Sequence, residues 1–131
     1  MKSVLVVDDD PDIRELVIWK LHQAGYATMA AGDGAEGLAI ATNGDDQGRV
    51  PDLILVDWMM PKLAGIEMCK ALRDNPVTSG IPLILLTAKA QESEVERGFA
   101  AGVDDYIVKP FSLREMLGRI QAVLARAQAA A

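Results

Sequence analysis

The sequence predicts an α/β fold in which a parallel sheet of five strands is flanked by five helices. Four short aliphatic runs are uninterrupted by polar residues, as in strands buried on both faces of a parallel sheet. Segments with helical spacing of apolar residues separate these runs, as the connections between parallel strands require. Each run also ends on a polar residue. The carboxyl ends of parallel strands share one edge, where open α/β folds bind ligands.

The first strand is predicted over Val4–Val7 and is followed by the three aspartates Asp8–Asp10. Asp10 and Pro11 are typical of the N-cap and the first position of a helix. Gly25 stands where a left-handed residue would end that helix. The apolar residues spaced to face inward are Ile13, Leu16, Val17, Leu21 and Ala24.

The second strand is predicted over Tyr26–Ala30, which is poorer in β-branched residues than the other runs and therefore suits an edge position. Gly34–Thr42 has the spacing of a second helix, and the polar cluster Asn43–Gly48 predicts a mobile loop. The third strand, Leu53–Val56, runs into Asp57.

The third helix is predicted over Ile66–Arg73 and should end before Pro76, because the residue preceding a proline disfavours helical geometry. The fourth strand, Leu83–Leu86, runs into Thr87. A fourth helix is predicted around Glu92–Ala101.

The last strand is predicted over Tyr106–Val108 and runs into Lys109. Ser112–Glu115 has the pattern of a capping box and opens the last helix. We expect the alanine-rich end, Ala125–Ala131, to prolong or fray this helix. Its apolar stripe consists of Leu113, Met116, Leu117, Ile120, Val123 and Leu124.

The composition narrows the class of protein. The 131 residues, half of them hydrophobic, predict one folded domain spanning 1–131. The net charge of -6 argues against direct binding to nucleic acid or to an anionic membrane. We expect a cytoplasmic protein, because there is no signal-peptide pattern or transmembrane-length run, and Cys69 is the only cysteine. His22 is the only histidine, so we expect neither a zinc site nor a Ser-His-Asp triad.

The strand ends bring together side chains suited to phosphoryl chemistry. We expect Asp8, Asp9, Asp57, Thr87 and Lys109 to line one pocket at the carboxyl edge of the sheet. Each of them alone has an ordinary interpretation, as a solvated strand end, a loop residue or a surface charge. Their combination favours the functional interpretation.

With these elements in this order, the chain resembles the receiver domain of two-component response regulators. The resemblance covers essentially the whole chain and implies the doubly wound, flavodoxin-like strand order 2-1-3-4-5. The matching segments are Val6–Asp10, Asp57–Pro61 with Gly65, Leu86–Ala88 and Gly102–Phe111.

The resemblance implies that Asp57 accepts a phosphoryl group as an acyl phosphate, a known role of carboxylates. It also implies a Mg²⁺ ion bound directly by Asp9, Asp57 and the backbone carbonyl of Met59, with Asp8 acting through water. Oxygen ligands and a phosphate substrate suit this ion. Lys109 would place a positive charge on a phosphoryl oxygen.

A conformational switch is the second implied feature. In the family the hydroxyl at Thr87 moves toward the phosphoryl group and the aromatic residue at Tyr106 turns inward behind it. The surface formed by the fourth helix, last strand and last helix then repacks. Tyr106 is equally compatible with simple packing as a half-buried strand residue. The family also implies a cis bond between Lys109 and Pro110.

Three rival hypotheses remain at this point. An aspartate-nucleophile phosphatase of the haloacid dehalogenase type would need a second aspartate where Met59 stands. A flavodoxin-like cofactor binder would need glycine, serine or threonine backbone donors after the first strand, where Asp8–Asp10 stand. A degenerate receiver that only binds partners is disfavoured by the presence of Asp57, Thr87 and Lys109.

Some residues are specific to this chain. Met59 and Lys89 occupy positions that face the attacking water in the family. Methionine cannot orient a water as an amide could, and we expect the lysine to shield the phosphate. This predicts slow spontaneous dephosphorylation. Ile18 and Trp19 lie off the predicted inward stripe of the first helix; they are either ordinary surface or part of a docking site for the partner.

The expected partners are a histidine kinase or a histidine phosphotransfer protein, and a downstream effector protein or an output domain absent from this sequence. Arg97, Asp105 and Arg119 resemble charges through which winged-helix regulators pair their receivers after phosphorylation. Solvated surface charges are the alternative, since exposed ion pairs contribute little stability.

Overall fold

The computed structural model describes residues 1–60, 62–88 and 92–130, with the backbone alone at positions 92–93 and 128–130. Five parallel strands form one sheet in the order β2-β1-β3-β4-β5, which confirms the predicted fold. The strands are β1 (Ser3–Val7), β2 (Ala27–Ala31), β3 (Leu53–Asp57), β4 (Leu83–Thr87) and β5 (Asp105–Val108). The helices are α1 (Pro11–Gln23), α2 (Gly34–Asn43), α3 (Gly65–Asp74), α4 (Glu92–Ala100) and α5 (Leu113–Ala130).

Helices cover both faces of the sheet. The central strands alternate between two buried clusters, so that Leu5 and Val7 belong to one cluster while Val4 and Val6 belong to the other. The first cluster includes residues of α2 and α3, and the second includes residues of α1 and α5. Because both faces are buried, the strands read as continuous aliphatic runs in the sequence.

The predicted helix ends are largely confirmed. Asp10 caps α1, its carboxylate accepting hydrogen bonds from the backbone N–H groups of Asp12 (2.9 Å) and Ile13 (3.3 Å). Gly25 has a φ of 92°, as its position after α1 predicted. The Ser112 hydroxyl accepts a hydrogen bond from the N–H of Glu115 (2.9 Å), so the cap of α5 is also present.

The inward stripe predicted for α1 is partly wrong. Val17 and Leu21 are buried, but Leu16 is 52% exposed, whereas Ile18 is half-buried and packs against the core. Leu16 and Ile18 lie on opposite sides of Val17, about 100° away in each direction. The rotation of the helix about its own axis therefore decides which one is buried. Ala24, also predicted to face inward, is the exposed C-cap residue.

Other boundaries differ from the prediction by about one residue. β2 begins and ends one residue later than predicted, and it lies at the edge of the sheet as expected. The alanine-rich end continues α5 as far as Ala130.

Within the described ranges, none of the helices combines the length and the hydrophobicity that a membrane crossing needs.

Candidate functional site

The parallel register brings the polar strand ends to one edge of the sheet. Asp57 is the last residue of β3 and pairs with Leu86, and Thr87 is the last residue of β4 and pairs with Val108. Asp8 directly follows β1, and Lys109 directly follows β5. The side chains therefore meet at this edge, as the positions of the strand ends predicted.

Three carboxylates form an acidic cluster. Asp8, Asp9 and Asp57 each offer an oxygen, and these oxygens all lie within 4.8 Å of one another. Asp8 is fully buried and Asp57 is 7% exposed, whereas Asp9 is exposed. The N–H of Asp10 donates a hydrogen bond to Asp8 Oδ1 (3.0 Å), which leaves Oδ2 as the second oxygen of that carboxylate.

One ammonium group lies against this cluster. Lys109 Nζ is 3.2 Å from Asp57 Oδ2 and 3.8 Å from Asp8 Oδ2. Among the described residues Lys109 is the one cation that forms ion pairs with these carboxylates, and one positive charge does not balance three. The pKa of Asp8 is raised from 3.8 to about 6, mainly by burial and to a smaller extent by the negative charge of Asp57, while the Asp10 N–H and Lys109 act in the opposite direction.

The cluster fits a divalent cation. Within the described part of the chain, Asp8 Oδ2 is buried and has no hydrogen-bond partner. A buried carboxylate oxygen without a donor is costly, and a bound cation would remove that cost. An all-oxygen set of carboxylates is what Mg²⁺ prefers. Asp8, Asp9 and Asp57 are therefore suited to hold this ion, directly or through water.

Thr87 and Tyr106 line one small cavity beneath α4. Trp58, Val95 and Gly98 also line it, so the cavity reaches from the residue after Asp57 to the helix. Thr87 is buried and Tyr106 is half-buried. The ring of Phe99 meets that of Tyr106 edge to face, with centroids 5.8 Å apart.

Charged residues predicted for receiver pairing have partners within the chain. Arg119 forms an ion pair with Asp105 at 3.0 Å. The guanidinium of Arg97 lies 5.5 Å from the ring centre of the buried Trp58, a cation–π geometry. Sequence reasoning missed this contact, because no spacing rule connects a helix residue to a strand end 39 positions earlier.

The β3–α3 connection packs tightly under the site. A Cβ atom on Gly65 would collide with the backbone carbonyl of Asp57, so only glycine allows α3 to begin this close. Lys62 has a φ of 69° and forms an ion pair with Asp33 at 3.5 Å. Met59 is 64% exposed.

Two residues of the predicted motifs, Pro61 and Lys89, lie outside the described residues. The bond between Lys109 and Pro110 is cis, as the family resemblance implied.

An apolar groove adjoins the site on the side of α1. Its volume is about 400 Å³, and Leu16, Lys109 and Phe111 are among the residues that line it. Trp19, one turn further along α1, is 54% exposed. Of the two docking residues suggested by the sequence, Trp19 is therefore accessible and Ile18 is half-buried.

Most of the chain matches one family. A model of the response regulator receiver domain matches residues 4–121. The phosphate regulon transcriptional regulatory protein PhoB of Pseudomonas aeruginosa is 43% identical over 125 residues, which are 95% of this chain and 52% of PhoB. The chain thus spans about half the length of the curated relatives it matches.

Solved structures show the same fold. The chemotaxis protein CheY4 of Vibrio cholerae superposes with a TM-score of 0.85 at 36% identity, covering 94% of this chain and 98% of CheY4. The receiver domain of a sensor histidine kinase from Pseudomonas aeruginosa PAO1, solved with a magnesium ion coordinated in its active site cleft, superposes with a TM-score of 0.84 at 27% identity and covers 95% of this chain and 98% of that domain. With its strand order, its acidic cluster and these matches, the chain belongs to the response regulator receiver domain family of two-component systems.

Proposed function

We propose that this chain is a phosphorylation-activated switch in which Asp57 accepts the phosphoryl group. The observation that carries the proposal is the close grouping of the Asp57 carboxylate with the Asp8 and Asp9 carboxylates and with the Lys109 ammonium group. Such a site has a nucleophile, a place for a cation and a fixed positive charge. Positioning and electrostatic stabilisation are most of what phosphoryl transfer requires.

The donor is a phosphohistidine on a histidine kinase or a histidine phosphotransfer protein. An Asp57 carboxylate oxygen attacks phosphorus, the phosphorus–oxygen bond forms, and the phosphorus–nitrogen bond of the donor breaks with its electron pair returning to the imidazole. The Lys109 ammonium group stabilises negative charge on a phosphoryl oxygen. Thr87 donates a hydrogen bond to another oxygen once Asp57 is modified.

Mg²⁺ is the cofactor of this proposal. Asp9, Asp57 and the backbone carbonyl of Met59 would hold it directly, and Asp8 through water. When bound, it supplies positive charge that offsets the repulsion between the carboxylates and the incoming phosphoryl group. The closely grouped carboxylate oxygens and the buried Asp8 Oδ2 support this assignment, and a similar receiver was solved with magnesium in its cleft.

Thr87 and Tyr106 are the proposed switch residues. Both line the cavity beneath α4, so a shift of the Thr87 hydroxyl toward a phosphorylated Asp57 would open space next to Tyr106. The affected surface is that of α4, β5 and α5. A preference of a few kcal/mol for one packing is enough to shift the populations usefully. No catalysis is proposed beyond the chain's own phosphorylation and dephosphorylation.

The groove beside α1 is the proposed docking site for the phosphoryl donor. It opens next to Lys109, and the exposed Leu16 and Trp19 extend its apolar surface.

The downstream partner is an effector protein or an output domain beyond the 1–131 receiver domain. The net charge argues against direct nucleic-acid binding or membrane binding by the receiver itself, and the proposed compartment is the cytoplasm. A phosphorylation-dependent homodimer through α4, β5 and α5 is also proposed, and sedimentation velocity with and without the acyl phosphate tests it.

The first experiment follows Trp58 fluorescence while Mg²⁺ and then a small acyl phosphate are added, with intact mass measured at the end. We expect magnesium-dependent gain of one phosphoryl group, abolished by Asp57→Asn. A Trp58→Phe variant gives the contribution of Trp19 to the signal. A folded protein that gains no phosphoryl group would be a degenerate receiver, and the proposal would be wrong.

Docking is tested separately with a phosphorylated histidine phosphotransfer protein as donor. Trp19→Ala and Leu16→Ala should slow phosphotransfer from the protein donor and leave the rate with the small acyl phosphate unchanged. Equal transfer rates for the variants and the parent chain would remove the proposed docking site.

A further inference from the structure

Arg14 makes a contact with the acidic site that no sequence pattern indicated. It lies in the first turns of α1, and its Nη1 donates a hydrogen bond to the backbone carbonyl of Asp8 at 2.6 Å. A Cβ atom on Gly32 would lie 3.7 Å from the same Nη1, which places the guanidinium beside the β2–α2 turn. Among the described residues, Arg14 forms no ion pair.

The Asp8 carbonyl needs a partner from outside the sheet. The ladders of β1 end at Val7, which pairs with Ala31 on one side and Val56 on the other. The N–H of Asp8 still donates to the Ala31 carbonyl at 3.2 Å, but the carbonyl of Asp8 lies beyond both ladders. A buried carbonyl is normally paired, and a charged donor makes the stronger bond.

Holding this carbonyl also fixes Asp9. The carbonyl of Asp8 and the N–H of Asp9 belong to one planar peptide unit, so the bond from Arg14 sets the orientation of that plane. Asp9 is exposed, and its carboxylate has no hydrogen bond to any other described residue. Its direction therefore depends on the backbone that precedes it. Asp8 is oriented in turn by the N–H of Asp10.

From these contacts we infer that Arg14 is a positioning residue for the cation site, acting through the peptide plane between Asp8 and Asp9. This inference rests on the proposed function, because it assumes that the acidic cluster binds Mg²⁺. Groups that orient metal ligands typically change metal affinity by about tenfold or more when they are removed.

The direction of the effect separates positioning from simple electrostatics. Removing a positive charge near a cation site should strengthen cation binding if charge alone mattered. Removing a group that orients the ligands should weaken it. Arg14→Met keeps much of the apolar stem and loses the donor, whereas Arg14→Lys keeps the charge and loses the planar guanidinium. Arg114→Met is the matched control, since Arg114 is exposed on α5.

The experiment is a calorimetric titration of each protein with MgCl₂, together with thermal unfolding in EDTA. We expect Arg14→Met to raise the Mg²⁺ dissociation constant about tenfold. Arg14→Lys should raise it less, by about threefold, because one donor is retained. Arg114→Met should leave it unchanged.

Several results would overturn the inference. An unchanged or lower dissociation constant in folded Arg14→Met would show a purely structural or electrostatic role, whatever happens to its unfolding temperature in EDTA. If Arg14→Met does not fold, equal affinity in Arg14→Lys and the parent chain would have the same meaning. Failure of the parent chain to bind Mg²⁺ would overturn both this inference and the cofactor part of the proposed function, whereas the first two results leave the proposed function intact.

Discussion

At the scale of single residues, the site is defined by which carboxylate each neighbouring group touches. Asp57 has the Lys109 ammonium group 3.2 Å away, whereas Oδ2 of the buried Asp8 lies 3.8 Å from that group and has no hydrogen-bond partner within the described residues. The exposed Asp9 completes the cluster. Three residues of one type therefore have three different environments, and these differences support their separate proposed roles.

Met59 should set the lifetime of the phosphorylated state. Its side chain is 64% exposed beside the site and has no group that can orient an attacking water. We expect Met59→Asn to accelerate spontaneous loss of the phosphoryl group, roughly threefold to tenfold, because an amide can hold that water in place. The measurement is the decay of the phosphorylated species by intact mass after the donor is removed.

Met59→Leu is the control, as it keeps an apolar side chain of similar size. Decay in Met59→Asn that is no faster than in Met59→Leu would show that this residue does not limit hydrolysis.

Cys69 should be unreactive in the folded protein. Burial within the core raises the pKa of its thiol from 9.0 to about 12, with a smaller opposing effect from Arg73. Because the folded-state pKa is raised, the stability associated with the neutral thiol is complete below pH 9 and is lost as the pH rises toward 12. We expect no labelling by a disulfide reagent at pH 8 until the chain is unfolded, measured by absorbance in buffer and in guanidinium.

Labelling of folded protein at the rate found in guanidinium would contradict this prediction. The pH dependence of stability is checked by comparing urea unfolding at pH 8 and pH 10.5 in the parent chain and in Cys69→Ala. The variant should lose less stability over this interval.

At the scale of elements, side-chain contacts join segments that the sheet does not connect directly. Arg73, near the end of α3, donates hydrogen bonds to the backbone carbonyls of Gly102 (2.9 Å), Ser79 (2.9 Å) and Ile81 (2.6 Å). It also pairs with Asp104 at 3.0 Å. Through these hydrogen bonds, one guanidinium group connects α3 to the segment before β4 and to the turn between α4 and β5.

We expect Arg73→Met to lower the free energy of unfolding by about 2 kcal/mol, because several carbonyls lose a charged donor and water replaces it only in part. The measurement is urea unfolding followed by circular dichroism. Lys70→Met is the control, since Lys70 is an exposed cation on the same helix. Equal stabilities of the two variants would mean that the Arg73 contacts contribute no more than an exposed charge.

At the scale of the whole molecule, the sheet edge brings three carboxylates together, and among the described residues Lys109 is the one cation that forms ion pairs with them. As long as no cation is bound, the repulsion between these carboxylates and the burial of Asp8 lower the free energy of unfolding. We expect Asp8→Asn to raise the free energy of unfolding in EDTA by about 1 to 2 kcal/mol at pH 7, since it removes a buried charge and keeps the shape of the side chain. Thermal unfolding in EDTA measures this difference.

The same variant should gain less stability from Mg²⁺ than the parent chain, because binding to the folded state alone stabilises a protein by mass action. The measurement is the rise of the unfolding temperature of each protein at increasing MgCl₂ concentrations. Lower stability of Asp8→Asn in EDTA would show that the Asp8 carboxylate makes a net favourable contribution to folding, which would contradict the prediction.

The sequence by itself was enough to predict the strand order through the family resemblance, the caps of α1 and α5, and the group of residues at the carboxyl edge. These features depend on local patterns: uninterrupted aliphatic runs, capping residues and the polar residue after each run. Leu16 and Ile18 show what such local patterns do not predict, namely which of two apolar residues on a helix is buried. Both suit a helix, and the rotation of α1 against the sheet decides which one is buried.

Contacts between distant segments were decided by the tertiary structure alone. No sequence rule joins Arg97 to Trp58, Arg73 to Gly102, or Arg14 to the carbonyl of Asp8. Long cationic side chains have many rotamers and can reach several partners, so their contacts depend on where the packed helices place them. The sequence therefore predicted which groups carry the proposed chemistry, and the tertiary structure determined which distant groups contact them.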